Sequence, residues 1–109
     1  MDSPHFCSDK AKDEMNLVIE ASNGNLIKVQ EYVVKLEDIN FVSLKGETPL
    51  GTAAYNGNLN VVKFLIKSGA IADYKNAEGK SAVDIAKDTG NHEIYNYLSN
   101  YSNHKSRHP

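Results

Sequence analysis

The sequence predicts an all-α repeat fold, a solenoid of three stacked helix-turn-helix units with hairpin-like fingers between them. Three observations predict it. Residues recur at a spacing of 33: Gly46 with Gly79, then Leu17, Leu50 and Val83, then Val29, Val62 and Tyr95, then Tyr32, Leu65 and Leu98. Turn dipeptides fall in the same register, as Asn23-Gly24, Asn56-Gly57 and Thr89-Gly90. Between the turns, apolar residues keep a helical period. A period of this length marks supersecondary units that bury their apolar faces by stacking on one another. Such a stack presents a surface rather than enclosing a cleft.

The elements follow in order. Residues 1–11 mix Pro, Ser, Asp and His without periodicity and are expected to form a flexible lead-in. The repeat domain is expected over 12–98. Its first unit, 12–42, opens with Met15, Leu17, Val18, Ile19 and Ala21, turns at Asn23-Gly24-Asn25, and continues with Leu26, Val29, Tyr32, Val33 and Leu36. Gly supplies the positive φ that ends a helix. From Glu37 to Lys45 the chain carries Ile39, Phe41 and Val42 and closes on Gly46, which reads as an extended, hairpin-like excursion. The second unit, 43–75, starts its helix at Thr48-Pro49, a capping hydroxyl followed by proline at the first helical position. Leu50, Ala53 and Ala54 are its buried stripe. After Asn56-Gly57-Asn58 the second helix carries Leu59, Val61, Val62, Leu65 and Ile66 and stops at Ser68-Gly69. The third unit, 76–98, repeats the plan from Gly79-Lys80-Ser81 through Val83, Ile85 and Ala86 to Ile94, Tyr95, Tyr97 and Leu98. Residues 99–109 are polar and are expected to fray.

Composition narrows the function. A chain of 109 residues makes one modest domain. The net charge of -2 argues against nucleic acid or an anionic membrane as the main partner, since both call for a dense basic patch. The terminal His104-Lys105-Ser106-Arg107-His108 is too small a cluster to change that. No apolar run approaches a membrane span, and the first residues show no secretory leader. Cys7 is the single cysteine. The expectation is a cytoplasmic protein that is a monomer when free.

These residues also carry a family resemblance. Gly46-Glu47-Thr48-Pro49-Leu50, Ala53-Ala54-Tyr55-Asn56-Gly57-Asn58-Leu59 and Val61-Val62-Lys63-Phe64-Leu65-Ile66-Lys67-Ser68-Gly69-Ala70 together resemble a full ankyrin repeat. Gly79-Lys80-Ser81-Ala82-Val83-Asp84-Ile85-Ala86 with Gly90 and Glu93-Ile94 resembles a C-terminal unit. Ala21, Asn23-Gly24-Asn25-Leu26 and Val29 resemble an N-terminal capping unit, with Met15-Asn16-Leu17 where Thr-Pro-Leu is usual. One departure stands out. The family usually has histidine after Thr-Pro-Leu, bonding neighbouring units, and here the position is Gly51. Glycine inside a helix costs about 0.5–1 kcal/mol against alanine, so the second unit is expected to be locally soft.

Little in the chain suggests chemistry. His5 and Cys7 would make half a metal site, but structural zinc calls for four clustered ligands, so no metal is expected. His92 follows a turn and reads as a surface or half-buried packing position rather than a catalytic one. Asp84 and Asp88 lie four apart on a helix and resemble an acid–base pair, yet Asp84 is better placed to start that helix. There is no phosphate loop, nucleophile elbow or Ser-His-Asp pattern, so neither enzymatic activity nor a cofactor is expected. Asn100-Tyr101-Ser102 matches a glycosylation sequon that stays idle without a secretory route.

The resemblance implies recognition of another protein by the finger tips and the inner helices. By position these are Ser22 and Asn23; Val42, Leu44, Lys45 and Glu47; Tyr55 and Asn56; Lys75, Ala77, Glu78 and Lys80; and Asp88 and Thr89. Phe41 and Tyr74 sit at equivalent positions, where packing between units competes with contact to a partner. The expected role is that of a non-catalytic inhibitor or adaptor acting on one partner. The alternatives are an immunity-type protein that neutralises a toxin, an effector delivered to host cells, and a structural protein that self-associates through Tyr95, Tyr97 and Tyr101.

Overall fold

A computed structural model of the chain describes residues 5–36 and 38–107, with side chains over 12–36 and 38–101. Six helices follow one another: α1 (His5–Asn23), α2 (Leu26–Lys35), α3 (Pro49–Tyr55), α4 (Leu59–Lys67), α5 (Ala82–Thr89) and α6 (His92–Arg107). They pair as α1/α2, α3/α4 and α5/α6. The pairs stack so that α1, α3 and α5 form an inner row and α2, α4 and α6 an outer row.

One core runs through all three units. Leu17, Ala21 and Val29 continue into Leu50, Ala53, Val62 and Leu65, and then into Ala82, Ala86, Ile94 and Leu98. Alanines at 21, 54 and 86 are wholly buried on the inner row. Their small side chains let successive inner helices approach closely. Phe41 and Tyr95 are partly buried and packed against the same cluster.

The helix starts match their sequence signals. The Thr48 hydroxyl accepts the Gly51 N–H at 2.9 Å, with Pro49 in the first turn. Ser81 and Asp84 form a capping box: Ser81 Oγ accepts the Asp84 N–H at 3.3 Å and Asp84 Oδ2 accepts the Ser81 N–H at 3.2 Å. Asp84 is therefore a capping residue, as expected.

The two ends differ from expectation. Helix α1 begins at His5, where a loose lead-in was expected over 1–11, and α6 runs to Arg107, where a frayed tail was expected from 99. Neither 5–11 nor 99–107 holds glycine or proline, so a polar composition alone does not stop a helix there. Tyr97 and Tyr101, one turn apart on α6, stack with ring centroids 6.4 Å apart. The side chains of His5, Cys7, His104 and His108 lie outside the described residues.

Gly51 is closely packed. A Cβ there would lie 2.7 Å from Thr48 Oγ1 and 3.0 Å from Ile85 Cδ1. The space usually given to a side chain is taken by the helix cap and by the next unit's isoleucine. Asparagines tie the units together instead. Asn58 Nδ2 donates to Ala21 O at 2.8 Å and Ser22 O at 3.0 Å, and Asn91 Nδ2 donates to Ala54 O at 2.6 Å. The side chain of Asn25, in the same register on the first described unit, accepts from Lys28 N–H of its own helix at 3.4 Å.

Candidate functional site

Between the units the chain folds into two fingers, each held by one polar side chain. In the first, Ser43 N–H donates to Glu47 O at 2.7 Å and Gly46 N–H to Ser43 O at 2.8 Å. Ser43 Oγ accepts the N–H groups of Lys45 and Glu47, both at 3.2 Å. In the second, Asn76 N–H donates to Lys80 O and Gly79 N–H to Asn76 O, both at 2.9 Å, while Asn76 Oδ1 accepts from Glu78 and Lys80 N–H. Gly46 and Gly79 both have φ near +83°, a region open to glycine at little cost. The fingers are joined where Ala77 N–H donates to Gly46 O at 3.2 Å.

Fingers and inner helices bound a concave groove of about 720 Å³. It gathers most of the positions expected from the sequence: Ser22 and Asn23 from α1, Lys45 and Glu47 from the first finger, Tyr55 and Asn56 from the end of α3, Ala77, Glu78 and Lys80 from the second finger, and Asp88 and Thr89 from α5. Tyr55 is 64% exposed. Asn56 Nδ2 donates to Ser22 Oγ at 3.1 Å, linking the first two units along the groove's edge.

Val42, Leu44 and Lys75 do not line the groove. Leu44 sits at the turn of the first finger and is 84% exposed. Ser43 is buried, its hydroxyl committed to the turn.

Sequence reasoning missed part of the floor. Met15, Val18 and Ile19 of α1, and Gly51, Thr52 and Ile85, also line the groove. The signal was in the register: Met15, Val18 and Ile19 stand 33 residues before Thr48, Gly51 and Thr52.

Charge in the groove gathers at its C-terminal end. Lys80 Nζ lies 3.0 Å from Asp88 Oδ2, a bar from the second finger to α5. The Asp88 hydrogen bond, then its charge, hold the Lys80 ammonium above the ordinary lysine range, with Glu78 and Asp84 adding to the effect. The equivalent positions in the second unit are Glu47 and Tyr55, which form no such bar. Asp84 is engaged in the helix cap and Asp88 with Lys80, so the two do not form an acid–base pair. Among the described residues no group of three or more His, Cys, Asp or Glu side chains is arranged to hold a metal ion. No described helix is long and apolar enough to cross a membrane.

Comparison with known proteins agrees with the stack. The family model for ankyrin repeats in three copies matches residues 17–108. An ankyrin repeat protein of Rickettsia bellii is 36% identical over 89 residues, which is 78% of this chain and 53% of that protein. The chain thus spans about half of that relative's length. The Notch-regulated ankyrin repeat-containing protein of Xenopus laevis is 32% identical over 80 residues, 70% of each chain. Among solved structures, a chain in the complex of a predatory endopeptidase from Bdellovibrio bacteriovorus with an immunity protein superposes with a TM-score of 0.72. It is 34% identical, over 78% of this chain and 45% of that one.

Proposed function

The chain belongs to the ankyrin repeat family, and from that premise we propose that it holds one partner protein in its concave groove, as a stoichiometric inhibitor or adaptor without catalysis of its own. The observation that carries the reading is the groove itself. Two hydrogen-bonded fingers and three inner helices set Tyr55, Glu47 and Glu78 on one continuous surface. Exposed aromatic residues of this kind are frequent anchors at protein interfaces. A stack of this kind acts by occupying its target or by bridging it to something else.

The likeness to a chain of an endopeptidase–immunity protein complex favours the inhibitory form, in which the partner is an enzyme to be neutralised. Replacing Glu47, Tyr55 and Glu78 together by alanine tests the surface. Capture of a native partner from the source organism should be lost while the helical circular dichroism stays unchanged. Capture that survives places docking on another face.

A further inference from the structure

The floor and the finger wall of the groove differ in chemistry. On α1 the floor is Met15, Val18 and Ile19, with Tyr55 lining the same groove from α3, and Ile19 is 47% exposed. Along the fingers and α5 carboxylates outnumber ammonium groups, with Glu47, Glu78 and Asp88 against Lys45 and Lys80. Lys80 is already paired with Asp88. Glu47 and Glu78 are exposed on the finger wall and make no ion pair among the described residues. The groove therefore combines an apolar seat with a wall that carries one net negative charge. Complementary potentials steer encounter and reject segments of the wrong sign.

Spacing fixes the pattern this would select. Neighbouring helices pack about 8–10 Å apart. An extended chain rises about 3.3 Å per residue, and its side chains alternate between faces. Two groups on one face of such a segment, one over the apolar floor and one over the finger wall, fall about two or four residues apart. We propose, resting on the reading of the concave face as the docking surface, that the groove takes an extended segment of its partner in which an apolar side chain seats on Ile19 and Tyr55 and a lysine or arginine two or four residues away meets Glu47 and Glu78.

Selection from a random peptide library on the intact chain tests this. The affinities of enriched peptides are then measured by fluorescence anisotropy against wild type, Tyr55→Ala and the Glu47→Lys/Glu78→Lys double variant. All the changed residues are exposed, so circular dichroism should match wild type in each. Enriched peptides should pair an apolar residue with lysine or arginine at that spacing. The double variant should bind them about tenfold more weakly at low salt, with the gap closing as salt screens the exposed charges. Peptides that need Tyr55 but show no basic preference, or that bind the double variant as tightly, overturn the proposal and leave the docking surface standing. Peptides indifferent to Tyr55→Ala, or no enrichment at all, overturn the proposal, and the former also counts against the concave face.

Discussion

Leu65→Ala should lower the unfolding free energy by about 2–5 kcal/mol, the range for emptying a leucine site in a packed core. Leu65 has no exposed surface and belongs to the cluster that runs from Leu17 to Leu98. It lies on α4, the middle outer helix, which packs on α3 and also touches α2 and α6. A cavity there weakens the second unit and its contacts with both neighbours at once. Small domains have only about 5–15 kcal/mol in all, so the loss is a large fraction of the total. In a repeat stack each unit is held by its neighbours, and with only three units the whole should still melt together. Urea unfolding followed by circular dichroism measures both points. A loss well under 1 kcal/mol, or two separated transitions, would contradict a continuous core.

Gly24→Ala should cost about 2–5 kcal/mol, and Gly90→Ala only about 1–2 kcal/mol. The two glycines have nearly the same left-handed backbone, φ 76° and 77°. Placing a Cβ in that conformation costs about 1–2 kcal/mol at either site. They differ in what lies opposite. A Cβ on Gly24 would stand 2.9 Å from Asn58 Oδ1, whereas nothing lies within 4 Å of one on Gly90. Displacing Asn58 breaks its bonds to Ala21 O and Ser22 O. Leaving such groups unmade costs about 1–3 kcal/mol more. Equal losses at the two sites, read by the same urea titration, would mean that the asparagine rungs do not couple the units.

Much of this fold could be read from the sequence because the repeat states its plan more than once. Thr48-Pro49, Ser81 with Asp84, and the glycines at 46 and 79 are local signals, and each does locally what its chemistry suggests. The ends were harder. Polar stretches such as 5–11 and 99–107 lack the apolar period that makes a helix legible, yet they also lack a breaker, and the helices continue. The asparagine rungs were hidden for another reason. Asn58 and Asn91 sit in turn sequences and read as turn residues, while their acceptors lie 36–37 residues earlier, on the previous unit. The packing around Gly51 was hidden because one neighbour that crowds it, Ile85, comes from the next unit.

The groove was legible on the finger side, where exposed turns carry Lys45, Glu47, Glu78 and Lys80. Its apolar floor was not. Ile19 reads as one more aliphatic residue on a helix that is otherwise part of the core, and only the stacking of α1 on α3 shows it open to the groove that Tyr55 also lines.

Amide hydrogen exchange of the chain, alone and with its captured native partner, bears most directly on which face docks. The account predicts slower exchange on binding at 15–23, 43–48, 51–56, 76–80 and 85–89, the stretches that line the groove, with α2 unchanged although Ile27 and Val34 are exposed on it. Protection confined to α2, with both fingers exchanging as in the free chain, would contradict it.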